Sequence, residues 1–150
     1  MSRQLVFKIG NVTGFSPDEA GGAFVSRLLI DPDGVGSSSL VVNHFTLRPG
    51  RTTGERGHHP PPYDEVYIVL RGQGRLQLGE PPEIHALEPD TVVFIPGGTA
   101  HAVENTGATN LELLTIMPGP LREGVNPVYD GRRKAWGRGF KLITGGDGPT

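Results

Sequence analysis

The chain has no cysteine, which excludes a disulfide framework, a thiolate metal site and a cysteine nucleophile. It also lacks an excess of either charge. Fourteen Lys and Arg against sixteen Asp and Glu leave a net charge of −2, so there is no basic footprint for nucleic acid. No apolar run approaches the roughly 18 residues of a membrane span. Residues 1–10 show no apolar core of a secretion signal, so neither a nucleic-acid nor a membrane partner is expected, and the cytoplasm is the default compartment.

Glycine and proline are abundant, at 23 and 14 of 150 residues. Such a level accompanies disorder when it is unpatterned. Here the two residue types fall between short β-type runs, which describes an all-β barrel or sandwich with many tight turns. At 150 residues the chain makes one domain, 1–150, large enough to build a core without staples.

Residues 5–9 read as a first short strand, and 16–19 as at most one helical turn. Strands are expected over 23–30, 40–47, 65–70, 75–78, 84–87, 91–95, 100–104 and 111–117. The barrel core therefore spans about 23–117. Asp31-Pro32-Asp33-Gly34 has turn chemistry, since Pro presets φ and Gly accepts a positive one. No helix of ordinary length is expected. The tail, 118–150, is Gly-rich and locally basic and holds Trp136, Tyr129 and Phe140. It packs on the barrel, over its mouth or against the outer face of Val66, Ile68 and Leu70, or on a second subunit. Packing on that sheet face or on a second subunit is favoured over a lid on the mouth, since a bare apolar face needs cover and aromatic residues dominate such contacts.

Alternation along 65–70 puts Glu65, Tyr67 and Val69 on one face and Val66, Ile68 and Leu70 on the other. A carboxylate and a phenol beside an apolar residue suit a pocket wall. Just upstream, His58-His59 precede three prolines, which stiffen the approach to the strand. His101 follows a Pro96-Gly97-Gly98 turn. Imidazoles with a carboxylate are the donors a divalent transition metal prefers. His44 and Thr46 share a strand face and, if it points inward, line the pocket. Tyr63 stands at the barrel mouth. Arg48 and Arg51 flank Pro49-Gly50 as solvated loop charges. The Gly clusters at 34–36 and 72–74 open no helix and are not phosphate loops.

Two stretches resemble the motifs of the cupin superfamily. Glu65 and Gly72 have the family's spacing, preceded by a His pair in place of His-x-His. Pro96, Gly98, His101 and Asn105 match Pro-x-Gly-x-x-His-x-x-x-Asn at every fixed position, with Asp90 where a Gly often precedes it by six. The resemblance covers about half the chain. It implies a jelly-roll β-barrel of two antiparallel sheets and one divalent transition metal (Fe, Mn, Ni or Zn) inside it. Carried over residue by residue, the ligands are His58, Glu65 and His101. The family's second His falls on Pro60. His59 is the substitute, one residue out of register. One arrangement is thus the two-His-one-carboxylate set with open positions, and the other adds or exchanges His59.

By that resemblance the chain is a small-molecule enzyme of dioxygenase, decarboxylase, isomerase or lyase type, with Tyr67 and His101 as its catalytic groups. Fold analogy does not choose among these. A metal-free cyclase or isomerase using Tyr67 and His101 for proton transfer, and a non-catalytic binding module, remain open. A homodimer is the expected assembly.

Overall fold

A computed structural model describes residues 5–16, 22–32 and 34–136 of the chain. Eight strands carry the fold: β1 (Phe24–Ile30), β2 (Leu40–Leu47), β3 (Glu65–Arg71), β4 (Gly74–Leu78), β5 (Glu83–Leu87), β6 (Val92–Ile95), β7 (His101–Asn105) and β8 (Leu111–Pro118). They form two antiparallel sheets. One has the order β1-β2-β8-β3-β6, the other β5-β4-β7. The chain folds as a jelly-roll barrel whose sheets pack face to face.

Residues 50–57 close the gap between the sheets. They run along the free side of β7 through bridges Thr52–Glu104 and Gly57–His101. Gly57 and His101 exchange both backbone hydrogen bonds, at 3.2 and 2.8 Å. Asn105 pins the far end of this seam. Its fully buried amide donates to the carbonyls of Leu47 and Thr109, both at 2.8 Å, and accepts from Gly107 N at 2.9 Å. The Asn105 amide and the Leu47 carbonyl, both buried, would otherwise be costly orphans.

Strand parity sorts the residues. Phe24, Leu47, Tyr67, Val69, Leu76, Leu87, Ile95, Val103, Leu111 and Leu113 meet in one core cluster between the sheets. Two turns hold the strands in that register. Gly72, at φ +85°, lies so close to the Asn110 carbonyl that a Cβ would sit 2.4 Å from it. Asp90, standing where related motifs carry Gly, itself adopts φ 72°, a conformation short polar side chains tolerate.

Residues 5–9 form no strand, contrary to the alternation there. Leu5 and Val6 are exposed, and Ile9–Asn11 is a 3-10 turn. The edge of β1 is taken instead at Phe15, which exchanges hydrogen bonds with Ser26 at 2.7 and 2.8 Å. The proposed turn at 16–19 lies largely outside the described residues.

The tail holds the helix that composition concealed: α1, Pro127–Trp136. Asn126 Oδ1 caps it, accepting from Val128 N (3.0 Å) and Tyr129 N (3.1 Å), and Pro127 opens the first turn, where its missing N–H costs nothing. Leu121, Val125 and Tyr129 pack with Leu28, Val41, Tyr63 and Met117 in a second cluster. Residues 121–129 thus cover one end of the barrel rather than the outer face of β3. The Trp136 side chain and Phe140 lie outside the described residues.

The expectation that His44 and Thr46 face the interior is corrected by register. They pair with Leu114 and Glu112 of β8, which alternate with the core residues Leu111 and Leu113. Both therefore face out. His44 is nonetheless buried, with Nε2 3.0 Å from Glu112 Oε1. Burial pushes its pKa down and outweighs Glu112, while Arg27 and Arg71 push the same way as burial. The folded protein therefore binds its His44 proton more weakly than the unfolded chain. Stability is lost as pH falls below the unfolded value near 6.5. Thermal unfolding at pH 7.5, 6.5 and 5.5 should show a decline that His44→Gln makes shallower; equal slopes in both proteins would contradict the assignment.

A candidate metal centre

Three donors converge where the sheets meet beneath α1. Glu65 opens β3 in one sheet and His101 opens β7 in the other. His59 comes from the segment between them and the 50–57 seam. One ligand atom from each lies within 4.8 Å of the others. His59 Nε2 is 3.4 Å and His101 Nε2 3.3 Å from Glu65 Oε1. Donors bound about 2.1 Å from one ion stand about 3 to 3.4 Å apart.

The local chain explains the convergence. Gly98 N donates to the His59 carbonyl at 2.6 Å, Gly97 N to Asp64 Oδ1 at 2.9 Å, and Tyr63 N to the Pro60 carbonyl at 2.9 Å. The triple-proline turn and the Pro96-Gly97-Gly98 turn are stitched together. A Cβ on Gly97 would come 2.9 Å from Pro61 Cα, so only glycine permits the approach. In this stiff arm His59 turns inward and His58 is left exposed. Of the four candidate ligands, the structure brings together His59, Glu65 and His101 but not His58.

The hydrogen bonds set each ring's tautomer. Nδ1 of His59 faces the Val125 carbonyl at 2.7 Å, and Nδ1 of His101 faces the Thr99 carbonyl at 2.9 Å. A carbonyl only accepts, so each Nδ1 carries the proton. In the neutral ring Nε2 then presents its lone pair. Two such lone pairs face a carboxylate oxygen. Their approach is an ion-pair distance without hydrogen-bond alignment, so Glu65 Oε1 is a buried oxygen with no hydrogen-bond partner. Acceptors facing acceptors around a buried orphan oxygen fit a bound cation.

Burial would push the Glu65 carboxyl up, but with no cation bound the imidazoles of His101 and His59, as donors when their inner nitrogens are protonated, outweigh it and hold it below the usual range. Burial would likewise push His59 down, but Glu65 and the Val125 carbonyl carry it above the ordinary histidine value. Tyr67, two residues along the inward face of β3, is pushed well above the usual tyrosine range by burial and by Glu65. Its phenol stays protonated at neutral pH. Its ring meets His101 edge-on, with centroids 5.9 Å apart.

The remaining candidates lie elsewhere. Tyr63 is buried beneath the tail, its hydroxyl accepting from Arg122 Nε at 3.1 Å. Arg48 and Arg51 are exposed at the Leu47–Asn105 end of the barrel, away from Glu65 and His101. Sequence reasoning missed the carbonyls of Thr99 and Val125, which as backbone groups carry no residue signature.

The chain belongs to the cupin domain family, whose model matches residues 43–117. It is 36% identical over 135 residues to a glucose-6-phosphate isomerase of Thermococcus gammatolerans, covering 78% of this chain and 70% of that one. It is 33% identical over 82 residues to the tetracenomycin polyketide synthase protein TcmJ of Streptomyces glaucescens. The chain spans 16% and 52% of the lengths of the first two curated relatives it matches. Its fold is shared with a predicted oxalate decarboxylase of Thermotoga maritima (TM-score 0.66, 23% identity, 76% of this chain and 98% of that one). No helix among the described residues is long and apolar enough to cross a membrane.

Removing one partner of a buried charge costs about 3 to 5 kcal/mol, whereas removing the charge itself often costs less. Metal-stripped His101→Ala should therefore lose about 3 kcal/mol in urea unfolding, more than Glu65→Gln. The reverse order would contradict the description of Glu65 as a carboxylate held by its imidazoles.

Proposed function

We propose that this cupin is a metal-dependent enzyme acting on a small oxygenated metabolite, and that its reaction is of the isomerase type. The observation that carries the reading is the buried, unpartnered Glu65 Oε1 faced by two imidazole Nε2 atoms whose Nδ1 protons are already committed. His59, Glu65 and His101 would hold one divalent ion of Fe, Mn, Ni or Zn and leave coordination positions open. Such an ion supplies Lewis acidity toward a carbonyl or hydroxyl oxygen.

The chain's own groups do the rest. Tyr67, kept protonated, is placed to donate a hydrogen bond or a proton to an oxygen bound beside Glu65. The apolar walls of Val69, Ile95 and Val103 keep water from competing. The likeness to the isomerase of Thermococcus gammatolerans favours a sugar phosphate over the substrates of oxidative or decarboxylating chemistry.

A second reading needs no metal. Tyr67, Glu65 and His101 form a linked set of proton-holding groups inside the barrel, enough for a cyclase or isomerase working by proton transfer alone. Elemental mass spectrometry on untagged protein purified without chelator separates the two. The metal reading expects near-stoichiometric transition metal. It also expects deuterium uptake from D2O into glucose 6-phosphate or fructose 6-phosphate, lost on chelation and in Glu65→Gln. Uptake that survives chelation but is lost in Glu65→Gln would replace it with the metal-free reading; uptake that survives both would contradict each of them.

The outer face of the larger sheet supports pairing with a second copy. Val92 and Phe94 are exposed at 66% and 59%, alongside half-buried Val66 and Ile68. Exposed apolar patches of this kind mark interaction sites. Beside them Arg71 Nε lies 3.6 Å from Glu112 Oε2, so the charges next to the apolar patch are paired within the chain and do not oppose its burial. Light scattering should give twice the chain mass for the wild type and a lower mass for Phe94→Glu. A wild-type monomer would contradict the pairing.

A further inference from the structure

We infer that the Val125 carbonyl is a positioning group of the metal centre, and that α1 is consequently part of the construction of that centre. The inference rests on the metal-centre reading above. It concerns which parts of this chain fix the ligand geometry.

The two imidazoles are oriented in different ways. His101 begins a strand, and its Nδ1 donates to Thr99, two residues away. That ring is fixed by its own turn. His59 belongs to no strand, and its Nδ1 donates to a carbonyl 66 residues downstream. Its orientation therefore depends on where the C-terminal segment docks.

That docking is built as a chain of specific contacts. Val125 is buried among Leu28, Val41, Tyr63, Met117 and Leu121, and its amide closes a turn onto the Arg122 carbonyl at 3.2 Å. Asn126 caps α1 and reaches the Met117 sulfur with Nδ2 at 3.6 Å. One turn on, the Tyr129 hydroxyl donates to Asp31 Oδ2 at 3.2 Å, and Arg132 Nη2 lies 3.9 Å from the same oxygen. Asp31 is fully buried just past β1, and its other oxygen accepts from Gly34 N at 2.6 Å. The latch runs from the end of β1 through Asp31 and Tyr129 into α1, back to Val125, and onto the ring of His59.

Two sites joined in this way are linked thermodynamically. If docked α1 raises metal affinity, metal must raise the protection of docked α1 by the same factor. Partners of ligating histidines are worth about ten- to a hundredfold in affinity, and loosening the latch forfeits part of that.

The test uses the full chain, stripped of metal and titrated with Zn²⁺ by calorimetry, with amide exchange followed over residues 121–136. In the wild type Zn²⁺ should bind one to one and slow exchange in α1. Tyr129→Phe keeps the ring and removes the Asp31 contact; Asn126→Ala removes the cap. Each should weaken Zn²⁺ binding several-fold, up to about tenfold, and speed exchange in α1. Leu87→Ala, in the core on the other sheet, should lower the unfolding midpoint yet leave the Zn²⁺ affinity within about twofold of wild type, which separates positioning from stability. The nitrogen spectrum of His59 should show its Nδ1 proton bond weakened in Tyr129→Phe. Unchanged Zn²⁺ affinity in both latch variants, with α1 exchange raised, overturns the inference and leaves the metal centre standing. Failure of the wild type to bind Zn²⁺, or any of Fe²⁺, Mn²⁺ and Ni²⁺, overturns the metal centre itself and this inference with it.

Discussion

Much of this structure is arranged around one buried carboxylate. Glu65 sits where the two sheets of the barrel meet, its side chain 5% exposed, in a position where an unpaired charge would be prohibitive. Imidazoles reach it from both sides, one from the opposite sheet and one from the stiff segment before β3, and where their inner nitrogens carry a proton they hold its carboxyl below the usual range. The neighbouring features serve that arrangement. The proline turn and the glycine turn interlock, the 50–57 seam fixes the start of β7, and the Thr99 and Val125 carbonyls commit the outer ring nitrogens. Each leaves an inner nitrogen aimed at the Glu65 oxygen, a donor to it when protonated and a lone pair free for a cation when neutral.

Such a constellation is costly to fold and gains little by itself. Buried ion pairs seldom repay their desolvation, and apolar side chains of similar size would serve a barrel better. Its presence in a core otherwise lined by Leu, Val and Ile is the physical case for a bound cation. Tyr67 extends the case from binding toward chemistry. Its phenol shares the inward face with Glu65, is buried, and has its pKa pushed well above the usual tyrosine range by burial and by Glu65. A cation with open positions beside a fixed proton donor is a workable site for a small hydroxy-carbonyl compound.

Much of the fold was legible because turns punctuate it. Pro49-Gly50, Gly72-Gln73-Gly74, Pro96-Gly97-Gly98 and Asn105-Thr106-Gly107 separate runs with strand chemistry, and eight of the expected strands fall within a residue or so of the observed ones. Glu65, Tyr67 and His101 could be placed inward from alternation and motif spacing. What failed depended on information outside the local pattern. Residues 5–9 alternate well, but the edge they would need is occupied at Phe15. His44 and Thr46 share a face, yet which face is decided by pairing with β8. His58 and His59 differ by one residue, and only the path of three prolines decides which turns in. Asn126-Pro127 carried a helix-start signature that a glycine-rich composition obscured. The Val125 carbonyl could not be read at all, because its role comes from tertiary docking.

The central claim is that His59, Glu65 and His101 form one metal centre closed by the C-terminal segment. Crystals grown from protein never exposed to chelator, with diffraction recorded on either side of the absorption edge of the metal found in them, test it most directly. The account predicts one strong anomalous peak within about 2.0 to 2.2 Å of His59 Nε2, His101 Nε2 and a Glu65 carboxylate oxygen, with both Nδ1–carbonyl hydrogen bonds kept. Ordered crystals of metal-replete protein with no peak there, or a peak held by His58 instead of His59, would contradict it.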